Sequence, residues 1–284
     1  MSVSPSALPS SLSRSALEAR LREAGCVFAE EEADLMLSAA ATAGELAAMA
    51  ERRAAGLPLE HVLGRAEFCG LRIALEPGVF VPRRRTEFLV RCAAALTRPG
   101  ALVVDLCCGS GALGMALAAA VAGPGHEPYG AVELHASDVD HVAVRCARRN
   151  LADVGGRVHE GDLFDGLPAG LRGRIEVLLA NVPYVPTGSL SLLPAEARVH
   201  EPRAALDGGS DGLEMLRRVV AEAPRWLAPH GHLFMEAGEA QAEAATAAME
   251  GSGLAVRVER CEELGATVLA GTEPGGPRSS TRPG

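Results

Sequence analysis

Ala101-Leu102-Val103-Val104-Asp105-Leu106-Cys107-Cys108-Gly109-Ser110-Gly111-Ala112-Leu113-Gly114 reads as a buried strand that runs through a turn of small residues into a helix. The almost uninterrupted apolar run at 101–106 suits a strand covered on both faces, and the Ala/Leu-rich stretch 112–121 suits a helix. Glycines at a strand-to-helix turn let the backbone come close to a ligand, which in open α/β sheets binds at that edge. The stretch predicts an α/β fold with a nucleotide-like cofactor above the turn.

Gly109, Gly111 and Gly114 satisfy G-x-G-x-x-G, a spacing that by itself leaves a dinucleotide-binding fold and a nicotinamide-dependent oxidoreductase open as alternatives. Asp105 tips the balance, because an acidic side chain at the turn repels a pyrophosphate and suits a cationic sulfonium-amine cofactor such as S-adenosylmethionine. Asp105, Cys107, Gly109 and Gly111 are therefore candidate cofactor-binding positions.

The alternation continues outward. Strands are predicted at 131–137, 157–159, 175–180 and 232–236, with a closing pair at 254–258 and 266–269; helices fall at 143–151, 213–226 and 239–249, and Thr86 is placed as the cap of a helix running to Leu96. Such alternation implies a parallel sheet covered on both faces. Asp138 closes the second strand, where a carboxylate can accept both hydroxyls of an adenosine ribose, with Asp140 and Glu133 as competitors. Asp162 and Leu163 follow the third strand and are candidates for the adenine amino group and ring.

Before this domain, Leu17 and Leu21 recur at helical spacing, and an Ala-rich stretch around Met36 and Leu46 is broken near Gly44. Phe68, Leu71, Ile73 and Leu75 around Gly70 suggest a hairpin closed by Pro77-Gly78. The expected organisation is a tail at 1–13, a helical module with hairpin at 14–76, the larger domain at 77–271 and a second tail at 272–284. The Ser/Pro/Gly-rich tails are expected to be disordered.

The chain has 284 residues, 48% of them hydrophobic, and a formal charge of −9 carried without any lysine, so its 27 cations are all arginine. That balance argues against stable nucleic-acid binding. Seven scattered cysteines, with no C-x-x-C, read as thiols in a reducing cytosol and give no metal or disulfide framework. No apolar run approaches the roughly 18 residues of a membrane helix, so a cytoplasmic protein is expected.

The fourth strand runs into Asn181-Val182-Pro183-Tyr184. The Asn181 carboxamide oxygen and the Val182 carbonyl can each accept one N–H of an amide or amine, localising the nitrogen lone pair and aiming it at a methyl carbon. Tyr184 would wall the slot for a flat group, with Pro183 fixing the turn. Positioning carries that chemistry, and no metal is required.

With these motifs in order, the chain resembles the HemK-type protein-glutamine N5-methyltransferases, which modify the glutamine of the Gly-Gly-Gln tip of peptide-chain release factors. The resemblance rests on Val81-Pro82-Arg83 with Thr86-Glu87, the loop 105–114, Asp138, Asn150, Asp162-Leu163-Phe164, Asn181 to Tyr184, and Glu201-Pro202 with Ala205-Leu206. It implies a class I S-adenosylmethionine-dependent methyltransferase fold, Rossmann-like with a seven-stranded, mostly parallel sheet. It also implies an N-terminal module that engages the release factor, and cofactor contacts at Gly109, Gly111, Asp138 and Asp162. Val182 stands where the family has proline, Cys107 and Cys108 where it has glycine and threonine, and arginines at 83–85 where it commonly has proline and aspartate. An amino-methyltransferase acting on adenine or guanine in nucleic acid and a non-catalytic cofactor-binding paralogue are the competing readings. Arg83 to Arg85 are expected to form a paired or solvated face, and Glu201 to belong to a loop that closes the site.

Overall fold

The computed structural model describes residues 12–126 and 128–275. Of the tails expected at 1–13 and 272–284, residues 1–11 and 276–284 lie outside the described residues. Beside the boundary expected at 271, the last strand continues through Thr272, and Glu273 exchanges backbone hydrogen bonds with His230 and Gly231.

The module is four helices: α1 (Arg14–Glu23), α2 (Ala29–Ala39), α3 (Ala43–Ala54) and α4 (Leu59–Leu63). Leu17, Leu21, Ala33, Met36, Leu46 and Ala50 pack into its own core. The break expected at Gly44 falls just before it. Thr42 is the cap of α3, its Oγ1 accepting from the Glu45 N–H at 3.1 Å while Glu45 accepts from the Ala41 N–H at 2.7 Å. Arg53 is buried at the end of α3 and forks onto Glu32 at 2.5 and 2.9 Å; its remaining nitrogen reaches Leu57 O and, at 2.6 Å, Glu196 of the larger domain.

β1 (Arg65–Phe68) and β2 (Leu71–Ala74) form the expected hairpin, with Cys69 and Gly70 both at positive φ as a two-residue primed turn demands. The Cys69 N–H donates to Glu87 at 3.0 Å, which seats the hairpin on α5 (Glu87–Ala94). Thr86 does not cap α5 with its side chain. Its backbone is already helical, and its hydroxyl donates instead to Glu236 at 2.7 Å; α5 ends at Ala94, short of Leu96.

The larger domain follows the order β3 (Leu102–Leu106), α6 (Ala112–Ala122), β4 (Glu133–Asp138), α7 (His141–Leu151), β5 (Arg157–Glu160), β6 (Ile175–Ala180), α8 (Ala195–His200), α9 (Glu214–Trp226), β7 (Leu227–Ala237), α10 (Ala242–Gly251), β8 (Ala255–Cys261) and β9 (Ala266–Thr272). Asp140, a competitor for the ribose position, caps α7 by accepting from the Val142 N–H at 2.7 Å. The sheet runs β5-β4-β3-β6-β7-β9-β8; its first five strands are parallel and β9 is antiparallel to both its neighbours. This is the seven-stranded, mostly parallel sheet that was expected.

Every residue of β3 is buried, with one apolar cluster on each face of the sheet. The chain leaves β3 toward β4 on one side and returns to β6 on the other. That reversal opens a crevice at the carboxyl ends of β3 and β6, where such sheets bind ligands.

Candidate active site

A cavity of about 590 Å³ fills this crevice, within the ~300–1,000 Å³ usual for ligand pockets. Its floor comes from the turns after β3, β4, β5 and β6. One side is closed by the connector around Phe80 to Arg85 and the other by the 193–206 segment, including Pro194, Ala197 and Leu206.

Cys107, Gly109, Asp138, Asp162, Leu163 and the tetrapeptide Asn181 to Tyr184 all line it, so most of the residues singled out in the sequence meet in one place. Asp138 accepts from the Gly109 N–H at 2.8 Å and from the Asp140 N–H at 3.0 Å, so it fixes the glycine turn while facing the cavity. Burial pushes its carboxyl pKa up, against the pull of those two amides. Asp162 is exposed and paired with Arg218 of α9 at 2.7 Å. Burial likewise pushes up the Cys107 thiol and the Tyr184 phenol.

Two of the four non-glycine residues at positive φ among the described residues, Cys107 (φ 52°) and Leu163 (φ 50°), sit in this wall. The left-handed conformation is sterically costly for both and typical of functional loops. The Ser137 hydroxyl donates to the Leu163 carbonyl at 3.0 Å and helps hold that conformation.

Asp105 and Gly111, also expected among the cofactor positions, do not themselves line the cavity. Asp105 is buried beneath the loop and accepts from the Gly114 N–H at 3.0 Å, so it shapes the turn from below rather than facing a cofactor. Gly111 starts α6 at φ 78°, a left-handed conformation that favours glycine, and a Cβ there would stand 2.9 Å from Leu151 Cγ, so backbone and helix packing both call for a glycine here. Asn150 braces the same turn, donating to the Ser110 and Ala74 carbonyls at 2.8 Å and accepting from the Ala74 N–H at 2.9 Å, which ties it to the hairpin.

Burial drives the Asp105 pKa up to about 7, opposed by the Gly114 amide and reinforced by Asp138. An unfolded aspartate titrates near ~4. Between those values the folded chain keeps a proton that the unfolded chain has released, so this residue's contribution to stability falls as pH rises through the window and levels off above it. In Asp105→Asn that slope disappears. Urea unfolding across the window, wild type minus variant, is expected to decline toward neutral pH; a constant difference would contradict the assignment.

Asn181 lies at the end of β6 with its Oδ1 buried and without a hydrogen-bond partner among the described residues. Buried polar atoms are nearly always satisfied, so an orphaned acceptor in a cavity wall marks a place for a donor. Val182 packs its side chain into the core, so what it can offer the cavity is its main chain. Behind the tetrapeptide, a Cβ on Gly208 would lie 2.7 Å from Pro183 O and 2.8 Å from Tyr184 Cα, so the returning loop backs the tetrapeptide closely.

Of the arginines expected to form a paired or solvated face, Arg84 is exposed and the other two are paired. Arg83 bonds Glu201, which also accepts from the Val81 N–H, and Arg85 pairs with Glu236 at 2.8 Å. Glu201 therefore fastens the 193–206 cover to the connector, as expected of a closing loop. Glu236 and the earlier part of the cover, Leu193, Pro194, Glu196 and Ala197, were not identified in the sequence. No cluster of three or more His, Cys, Asp or Glu side chains that could hold a metal, and no helix long and apolar enough to cross a membrane, occurs among the described residues.

The open space beside Gly109, the Asp138 carboxylate and the cavity's size suit S-adenosylmethionine. On this reading Asp138→Ala raises the dissociation constant of that cofactor about tenfold to a hundredfold, the value of hydrogen bonds to a charged acceptor. Titration calorimetry giving an unchanged constant would remove Asp138 from the site.

The sequence profile of the methyltransferase small domain family matches residues 70–258. A release factor glutamine methyltransferase of Geobacter sulfurreducens is 42% identical over 204 residues, 70% of this chain and 68% of that protein. A 4-amino-L-phenylalanine/4-methylamino-L-phenylalanine methyltransferase of Streptomyces pristinaespiralis is 38% identical over 209 residues, 71% and 68% of the two chains. Among solved structures, a methyltransferase from Pyrococcus furiosus superposes with a TM-score of 0.53 at 17% identity, covering 72% of this chain and 90% of that one, a likeness of fold.

Proposed function

This chain belongs to the release factor glutamine methyltransferase family, built on the methyltransferase small domain, and from that membership we infer that it methylates the side-chain amide nitrogen of a protein glutamine, the one in the Gly-Gly-Gln tip of a peptide-chain release factor. S-adenosylmethionine supplies the methyl group on a sulfonium, an electrophile that needs no further activation. The chain's own residues then have two tasks: to hold that donor and to orient a poor nucleophile.

The observation that carries the reading is the orphaned Oδ1 of Asn181. A glutamine NH2 has two hydrogens; one suits this oxygen and the other the Val182 carbonyl. Two acceptors placed at the start of a rigid turn hold the nitrogen lone pair out of conjugation and toward the methyl group, so orientation is fixed before reaction. Tyr184 and Pro183 wall the slot. Gly109, Asp138, Asp162, Leu163 and the Cys107 backbone hold the donor, with Asp105 beneath the loop. Once methylated, the nitrogen carries a proton acidic enough to leave for solvent, so no carboxylate has to act as a strong base.

The helical module and hairpin, residues 14–76, are assigned the task of engaging the release factor. Arg53 links them to Glu196 in the cavity wall, so docking on the module and closure of the cover share one guanidinium.

The test is incubation with labelled S-adenosylmethionine and the release factors of the same source, followed by mass spectrometry of the Gly-Gly-Gln peptide, with 4-amino-L-phenylalanine as a parallel acceptor. A methyl on that glutamine is the expected result. Methylation of the free arylamine alone would replace the acceptor, and cofactor binding without transfer to either would point to the non-catalytic paralogue.

A further inference from the structure

Glu236 is a buried carboxylate with 2% exposure, lying in β7 next to the point where β6 enters the tetrapeptide. Its Oε1 accepts from the Tyr184 hydroxyl at 2.9 Å and from Arg85 Nε at 2.8 Å; its Oε2 accepts from the Thr86 hydroxyl at 2.7 Å. Arg85 also donates to the Tyr184 oxygen and lays its guanidinium 5.5 Å from the centre of the Tyr184 ring. On the main-chain side, Gln241 Nε2 donates to the Tyr184 carbonyl at 2.9 Å and to the Asp211 carbonyl at 2.9 Å.

Glu236 is buried but the Arg85 side chain is 46% exposed, and a pair so open to solvent on one side adds little to stability. All three partners of Glu236 belong to the cavity's surroundings: Tyr184 ends the tetrapeptide, while Arg85 and Thr86 end the connector. One carboxylate thus sets the ring of Tyr184 and the 83–86 turn in a fixed relation to each other. Tyr184 cannot rotate or withdraw without breaking its bond to Glu236 and its contact with Arg85.

We propose that Glu236 is a positioning residue for methyl transfer, locking the Tyr184 ring against the connector so that an acceptor group held at Asn181 and Val182 meets the methyl donor at one angle. The proposal rests on the reading of Asn181 to Tyr184 as the acceptor cradle. Glu236 itself touches neither acceptor nor donor, and acts through Tyr184.

The test compares Glu236→Gln, Tyr184→Phe and the double variant, using the full chain with the release factor as acceptor. Gln keeps the size of the side chain but offers only one oxygen to three donors, and Phe keeps the ring but frees it. Glu236→Gln is expected to lower kcat roughly tenfold to a hundredfold, as misplacement on the order of an ångström does. The acceptor KM, the S-adenosylmethionine dissociation constant and the unfolding temperature should stay near wild type. Tyr184→Phe should show a loss of similar size, and the double variant should be no slower than the slower single, since both break one linkage. Wild-type kcat in either single variant overturns the proposal, as do losses that multiply or a kcat loss accompanied by equal losses of cofactor affinity and stability. Asn181→Ala separates the two ideas: full activity there, with Glu236→Gln still impaired, would sink the cradle while leaving the anchor.

Discussion

Asn181→Ala is expected to lower kcat for release-factor methylation by about 10²–10³-fold, the usual effect of removing one preorganised hydrogen-bonding group from a reacting centre. The affinity for S-adenosylmethionine should hardly change, because the wall assigned to the cofactor comes mainly from the turns after β3, β4 and β5. The argument starts from the unsatisfied, buried Oδ1 of Asn181. An acceptor left unpartnered in the folded protein costs stability, and that cost is recovered when an N–H arrives. Removing the carboxamide should therefore leave folding intact or slightly improved while transfer collapses. Single-turnover kinetics alongside calorimetry separates these effects. Near-normal turnover would show that the acceptor is held elsewhere, and a parallel loss of cofactor affinity would place Asn181 in the donor's half of the cavity.

The second large effect concerns the module rather than the chemistry. Arg53→Met should reduce the free energy of unfolding by about 3–5 kcal/mol, the cost of stranding one partner of a buried pair. Glu32 is buried, receives two of the guanidinium's hydrogen bonds and would lose both. Removing both charges, as in Arg53→Met with Glu32→Leu, should recover most of the loss, since the stranded carboxylate and not the missing attraction dominates. Urea denaturation of both variants decides this. Equal instability in the single and double variants would mean that the Leu57 and Glu196 contacts of Arg53, not its pairing with Glu32, hold the module.

What the sequence revealed and what it hid follows from how far each interaction reaches. The strand and turn around 105–114, Asp138 at the end of β4 and the tetrapeptide after β6 were legible because local chemistry and their place in an alternating pattern mark them. Asp105 was legible as a residue of the turn but not in its direction: a carboxylate supporting a loop from below and one facing a ligand look alike in one dimension. Gly111 was ambiguous for a similar reason, since a close helix and a close ligand both demand a missing Cβ. Thr86 has the right chemistry for a cap, yet its hydroxyl is taken by Glu236, 150 positions away in the sequence. Glu236 ends an apolar strand and gives no local sign that three donors converge on it. Of the cover at 193–206, Glu201-Pro202 and Ala205-Leu206 were legible, but the stretch before them was quiet, because α8 is only six residues long, too short to show a helical period.

The position of β3 also bears on how the chain is made. Its neighbour on one side, β4, follows soon after, but Val103 pairs on the other side with Val177, which lies about 70 residues further on. At roughly 5–20 residues per second of synthesis, this fully buried strand waits on the order of ten seconds with one edge unpaired. During that interval the nascent chain carries an adhesive edge, and the crevice between β3 and β6 does not yet exist. The cofactor therefore cannot help the early chain to fold, and molecular chaperones have their natural window of action between the emergence of these two strands.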